Sequence, residues 1–207
     1  MDYYGFVRQE IIPLLPEHAP RALEVGCGNG ATLAWLKASG LCREAVGVEY
    51  SQSASQIARE HLDLVIEGNA EHIDFGSLGQ FDLILCLDVL EHLQDPWLML
   101  RRLRERLSER GVLIVSLPNV RHHSVLLPLL LGGRWHYTDA GILDRTHLRF
   151  FTRDTARDLL ETSGFAIADS CSVGQNWSPS RWWRWLGKWR AAEPFCAVQY
   201  LFAARAS

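Results

Sequence analysis

The run Glu24-Val25-Gly26-Cys27-Gly28-Asn29-Gly30 sets a carboxylate directly before three closely spaced glycines. Glycines in such a loop let the chain turn sharply and let a ligand approach the backbone. The dinucleotide fingerprint wants its third glycine at relative position 5, and that position is Ala31. Alanine can be accommodated there, so spacing alone leaves a dinucleotide open. Glu24 weighs against it, because a carboxylate beside the loop opposes a pyrophosphate and suits a ligand bearing positive charge. Glu49 follows 25 residues later, where an acidic side chain can accept hydrogen bonds from both hydroxyls of a ribose. Asn69, or the backbone of Ala70, could read an adenine edge. Further on, Asp88-Val89-Leu90-Glu91-His92 groups two carboxylates with an imidazole.

A second concentration lies at 121–153. Five arginines (Arg121, Arg134, Arg145, Arg149, Arg153) stand against two acids (Asp139, Asp144), with four of the eight histidines. Such a segment suits an anionic group, a phosphate or a carboxylate. His147 is the first candidate for a general base and His92 the second, since an imidazole titrates near neutrality; a structural role is the alternative for each. Adjacent His122 and His123 lack a cysteine or a nearby carboxylate pair, so no metal site is expected. Five of the eight tryptophans crowd into 174–194 with Arg181, Arg184, Lys188 and Arg190. On a helix, Trp182, Trp185, Leu186 and Trp189 make one apolar stripe. It could pack on a sheet edge, stack on sugars, form a dimer contact, or lie at an anionic membrane surface through 177–190.

Alternating elements must carry these groups. Apolar β-rich runs at 21–25, 45–49, 64–67, 81–87 and 111–117 are separated by helical patterns at 31–38, 54–61 and 96–107. Ser51 and Asp95 stand as N-caps. The pattern implies an open, doubly wound α/β sheet with helices on both faces. A helix is expected at 120–131, a loop or lid at 132–150, and a helix from Thr152 to about 163. The chain then reads as two strands, 164–173 and 195–203, forming a hairpin-like pair.

Composition sets the outer bounds. With 207 residues, 48% hydrophobic and 22% charged, the chain is too apolar for disorder and suits one domain. A net charge of −3 weighs against constitutive binding to nucleic acid. The cysteines, Cys27, Cys42, Cys86, Cys171 and Cys196, include no C-x-x-C pair. Reduced thiols in a cytoplasmic compartment are the expectation, with peripheral membrane contact through the Trp-rich stretch as a further possibility. No signal peptide is visible, and no apolar run approaches the roughly 18–20 residues of a membrane span.

Taken together, residues 24–30, Glu49, Asn69-Ala70 and 82–92 resemble the class I S-adenosylmethionine (SAM)-dependent methyltransferases over about residues 20–120. The resemblance implies a Rossmann-like seven-stranded sheet, parallel except for its last strand. It also implies that SAM is the cofactor and S-adenosylhomocysteine the product. The cofactor set would be Glu24, Gly26, Cys27, Gly28, Gly30, Glu49, Tyr50, Asn69, Ala70, Leu87, Asp88 and Val89. Here the Gly26–Gly30 backbone would face the amino acid part, Glu49 the ribose, and Asp88-Val89 the methionine from beneath. Many relatives carry an Asp where this chain has Asn69.

Residues 117–122, 133–135 and 143–152 further resemble a bacterial subgroup associated with glycan or O-antigen biosynthesis. On that basis 1–207 is one methyltransferase domain, with a SAM-binding core at 1–120, an acceptor lid at 121–151 and the insertion at 174–194. The acceptor would be a small molecule or glycan, bound by Arg121, His122, Arg145 and Arg149, and O-methylation of an anionic substrate is expected. The alternatives are N- or C-methylation of another metabolite, or a SAM-binding partner subunit without catalysis. The acidity of the chain disfavours RNA as an acceptor, and no nucleic-acid partner is expected.

Overall fold

Burial on two sides decides the architecture. In β4 (Phe81–Leu87), Leu83 and Leu85 pack to one side with Leu33 and Leu36, while Ile84 and Cys86 pack to the other with Met99, Leu100 and Leu103. A strand covered on both faces needs helices above and below its sheet. The computed structural model describes residues 5–174 and 192–207, and the statements below concern those residues.

The chain runs β1 (Arg21–Val25), α1 (Ala31–Ala38), β2 (Glu44–Glu49), α2 (Gln52–Ala58), β3 (Leu64–Glu67), β4, α3 (Pro96–Arg104), β5 (Leu107–Pro118), α4 (His123–Gly132), α5 (Arg153–Thr162), β6 (Phe165–Val173), the short α6 (Glu193–Cys196) and β7 (Gln199–Ala206). The seven strands lie in the order β3-β2-β1-β4-β5-β7-β6. Only β7 runs against the rest, antiparallel to both β5 and β6. The doubly wound, mostly parallel α/β sheet expected from sequence is therefore the fold observed. The order reverses between β1 and β4, which opens a crevice at their carboxyl ends.

Local chemistry fixes several element ends. The Ser51 hydroxyl accepts from the Ala54 amide, and the Asp95 carboxylate accepts from Leu98. Thr152 and Thr155 form a reciprocal capping box at the start of α5.

Several boundaries differ from the sequence expectation, β5 for one beginning at Leu107 rather than 111 and β7 ending at Ala206 rather than 203. Helix α2 starts and stops earlier than 54–61. Its last residue, Ala58, accepts from the Leu62 amide, and Asp63 then pairs with Ala45 to lead into β3. Helix α3 gives way at Arg104 because the Arg106 carbonyl accepts from Phe81 and β5 begins at Leu107. Helix α4 starts later than residue 120, because Val120 donates to Phe151 and Arg121 donates to the Asn119 side chain. The last strand starts at Gln199 rather than 195. Pro194 sits in the first turn of α6, where its fixed φ suits a helix, and the Asn119 amide donates to the carbonyls of Pro194 and Ala197.

Residues 133–152 hold no helix or strand, only isolated bridges such as Thr138 with Asp144. The Trp-rich helix and its contact through 177–190 lie outside the described residues. Among the described residues, no helix is long and apolar enough to cross a membrane, and all five cysteines are free thiols.

Truncating Ile84, fully buried in β4, to Ala should lower the unfolding free energy by about 2–5 kcal/mol. Thr152→Ala, which removes one cap, should cost about 1 kcal/mol. Chemical denaturation checks both, and equal losses would contradict this picture of the core.

Candidate active site

The glycine loop leaves β1 at the crevice. Gly26, Gly28 and Gly30 all have positive φ (75°, 55° and 81°), a region that L side chains enter at a cost of about 1–2 kcal/mol. The amides of Gly26 and Cys27 both donate to the Val48 carbonyl at 2.8 and 3.1 Å, which ties the loop to β2. A Cβ on Gly26 would collide with the Val89 Cγ2 methyl, so the loop and the residue after Asp88 are packed against each other. Gly30 then caps α1.

Two buried carboxyl groups stand beside this loop in different electrostatic states. Glu49 is satisfied: one oxygen accepts from the Gly28 amide at 2.8 Å and the other from the Ser51 amide at 2.7 Å. Glu24 is only 3% exposed, and its Oε2 has no hydrogen-bond partner. Burial pushes its pKa up to about 8; Arg8 pulls against the shift and Glu49 adds to it. An orphaned carboxyl oxygen calls for a donor or a cation. Tyr50, just past Glu49, is 78% exposed. Asn69 uses its side-chain oxygen to cap the turn that begins at Ala70, accepting from the Glu71 amide. Its amide nitrogen is not engaged by that bond.

Past β4, Leu87 is buried, and Asp88 holds the unusual φ of +55° for a non-glycine residue. Three partners secure its carboxylate. Arg8 Nη1 donates at 2.7 Å, Ser116 Oγ at 2.8 Å, and Gln199 Nε2 at 2.9 Å. Arg8 also pairs with Glu10, and its backbone amide donates to Thr32. It thus draws the amino-terminal segment across the crevice. Local sequence carries no signal for Arg8, Ser116 or Gln199, because their roles arise from pairings across distant parts of the chain.

The segment 144–149 docks on the same strand end. Leu148 and Arg149 both donate to the Glu91 carbonyl, at 2.8 and 3.0 Å. This brings His147 against His92, ring centroids 4.6 Å apart and edge to face. It also sets His147 Nε2 4.0 Å from Glu91 Oε1. A ligating atom of each of Glu91, His92 and His147 lies within 4.8 Å of the other two. Glu91 is 1% exposed, with both oxygens unpartnered, and burial, reinforced by Asp88, holds its pKa well above the carboxylate range. Burial, followed by His147, lowers that of His92. The two histidines expected from sequence thus come together with Glu91, which the sequence grouped with His92 but to which it assigned no role. Its place beside His92 at the end of an apolar strand was the available signal.

The expected acceptor residues each have a partner within the protein. His122 caps α4 through the Ser124 amide, and burial, aided by His123, pushes its pKa down to about 4. Arg121 stacks over the Phe195 ring, Arg145 pairs with Asp139 at 2.6 Å, and Arg149 donates to the Gln94 carbonyl at 2.7 Å. Arg134 and His136 instead line a cleft with Val125, Pro128, Thr138 and Leu143, between α4 and the irregular segment.

This fold and crevice define the Rossmann-like methyltransferase class. Residues 2–170 match the family described as "Methyltransferase domain", and the chain belongs to that family. It is a SAM-dependent methyltransferase, and SAM is its methyl donor. Its curated relatives include a ubiquinone biosynthesis O-methyltransferase of Cereibacter sphaeroides, 27% identical over 91% of this chain and 74% of the relative. A mitochondrial protein of that name from Schizosaccharomyces pombe is 33% identical over 78% of this chain and 61% of the relative. Among solved structures, a Thermotoga maritima methyltransferase described as a possible histamine N-methyltransferase shares the fold (TM-score 0.65, 20% identity, 96% of this chain and 86% of that one). So does the magnesium protoporphyrin IX methyltransferase of Synechocystis, solved with S-adenosylhomocysteine (TM-score 0.64, 16% identity, 96% and 79%).

The crevice suits SAM chemically. It offers a glycine backbone with no side chain in the way, a satisfied carboxylate for hydroxyls, and an orphaned carboxyl oxygen for a cationic amine.

Two variants and a control test this fit. Between the ordinary carboxylate range and about pH 8, the folded chain keeps a proton on Glu24 that the unfolded chain releases. Stability therefore falls as pH rises through that window. Glu24→Gln should make this fall shallower and raise the midpoint of thermal unfolding of the SAM-free chain at pH 8, while weakening SAM binding at least tenfold by calorimetry. Gly26→Ala should likewise cost at least tenfold in SAM affinity. Gly40→Ala, equally left-handed but with nothing near its Cβ position, should leave SAM affinity unchanged. Equal affinities for the two alanine variants would refute the close-approach argument.

Proposed function

We propose that this chain O-methylates a small anionic acceptor, of the glycan or sugar-nucleotide kind. The observation that carries this reading is the cluster Glu91–His92–His147, set at the end of β4 and covered by the irregular segment. Histidines beside a buried carboxyl group can receive or polarise a hydroxyl and ease the loss of its proton. The naming of the relatives as O-methyltransferases supports the same atom type. The glycan class of acceptor rests on the motifs at 117–122, 133–135 and 143–152 and on the cationic character of 121–153.

When bound, SAM supplies a methyl group activated on a sulfonium. The chain's own tasks are then binding, alignment and exclusion of water. We assign the ribose hydroxyls to Glu49, with Tyr50 beside them, and the adenine to Asn69 and Ala70. The amino acid part falls to the backbone of Gly26, Cys27, Gly28 and Gly30, with Glu24 drawn to its ammonium group. Leu87, Asp88 and Val89 form the floor. Asp88 acts through its bond to Arg8, so we read it as a positioning residue. In this scheme 1–120 forms the cofactor core and 121–151 the acceptor lid of one catalytic domain.

The acceptor's anionic group we now place at the cleft of Arg134 and His136. Arg121, Arg145 and Arg149 already have protein partners, and His122 is a cap. On the first acceptor identified by S-adenosylhomocysteine release, Arg134→Ala should raise KM about tenfold with kcat and SAM affinity held. An unchanged KM would sink the assignment.

A further inference from the structure

The hydrogen bonds around Glu91, His92 and His147 fix where their electron pairs point. His147 Nδ1 lies 3.0 Å from the Ile142 carbonyl. A carbonyl only accepts, so Nδ1 carries the proton and Nε2 carries the lone pair. His92 Nδ1 lies 3.0 Å from Thr146 Oγ1, and that hydroxyl is 2.6 Å from Asp144 Oδ1. The carboxylate takes the hydroxyl proton, so Thr146 accepts from His92. His92 therefore also presents its lone pair on Nε2. The third member, Glu91, is buried with neither oxygen hydrogen-bonded among the described residues. Two imidazole lone pairs and a buried carboxyl group converge, and no hydrogen bond joins them.

A buried carboxyl group without a hydrogen bond is costly, and a cation that displaces its proton would satisfy it together with both lone pairs. The neighbours reinforce this. A ligating histidine usually gives its other ring N–H to a carbonyl or a carboxylate, which orients the ring and makes the ligating nitrogen more basic. His147 does this directly with Ile142, and His92 does it through Thr146 to Asp144.

We propose that Glu91, His92 and His147 bind a divalent transition-metal ion. Two imidazoles and one carboxylate suit zinc or iron(II) better than magnesium or calcium. The ligating atoms, within 4.8 Å of one another, would draw in slightly around metal–ligand bonds of about 2.0–2.2 Å. Three protein ligands leave a position open for an oxygen. An acceptor hydroxyl in that position loses its proton to solvent near neutral pH and remains as a metal-held oxyanion. That role rests on the O-methyltransferase reading above; the binding of the ion does not. The sequence offered no metal site because its two candidate ligand regions, 91–92 and 147, are 55 residues apart and meet only through the docking of 144–149.

The test uses the full chain stripped with a chelator and then given Zn2+. Calorimetry and elemental analysis after desalting should give one Zn2+ per chain. Co2+ in its place should produce visible absorption bands from a nitrogen- and oxygen-ligated site. His147→Ala and His92→Ala should each weaken Zn2+ binding at least tenfold. Both should keep wild-type SAM affinity, which shows that the fold is intact, and His61→Ala should bind Zn2+ as wild type does. Absence of stoichiometric Zn2+ in the wild type, or wild-type affinity in both histidine variants, overturns the proposal. Either result with SAM binding and methyl transfer intact would leave the proposed function standing.

Discussion

Three glutamates, Glu24, Glu49 and Glu91, are buried at the carboxyl ends of β1 and β2 and just past β4. Keeping carboxyl groups out of water is expensive unless each is neutralised or paired. The three are answered in different ways. Glu49 receives two backbone amides, so its charge is compensated within the protein. Glu24 feels Arg8 at a distance yet leaves one oxygen unpartnered. Glu91 has no side-chain hydrogen bond and faces a histidine at 4.0 Å. Hydrogen bonding thus runs from complete at Glu49 to absent at Glu91.

That gradient ties stability to function. A chain optimised for stability alone would not leave Glu24 and Glu91 unsatisfied, since each raised pKa marks a state the fold disfavours. Their strain is tolerated because the sheet around them is buried on both faces and its strands are fixed in register. Arg8 adds a brace. It joins the amino-terminal segment to Asp88 and, through the same carboxylate, to Ser116 of β5 and Gln199 of β7. Four separate stretches of chain therefore meet on one side chain at the floor of the crevice.

How much of this was legible in the sequence follows from the range of the interactions. The strands at 21–25 and 81–87 were readable because period and apolar content are local. So were Glu24, the glycines and Glu49, which stand at fixed distances from those strands. The start of α4 was not legible, because Asn119 and Val120 are claimed by residues near 150 and 195. Nor was Arg8, whose partner lies 80 positions away. His122 looked like a ligand-binding residue among cations; its use as a cap depends on where the helix begins. His147 was legible as an imidazole in a polar segment, but its burial against Glu91 comes only from docking that segment onto β4's end.

The stretch from Val89 to Glu91 is where the two halves of the site are joined. Val89 packs so closely on Gly26 that the glycine loop cannot carry a side chain there. Two residues later, the Glu91 carbonyl accepts from Leu148 and Arg149, and its side chain meets His147. The irregular segment and the glycine loop are thus held by residues two positions apart in the chain. For a methyl transfer that must align two molecules within about 3–3.5 Å, such a short covalent link between the glycine loop's contact and the proposed acceptor lid is suited to holding that alignment. The segment can lack regular structure because bonds just past β4 and β5 set its position, rather than a helix or strand of its own.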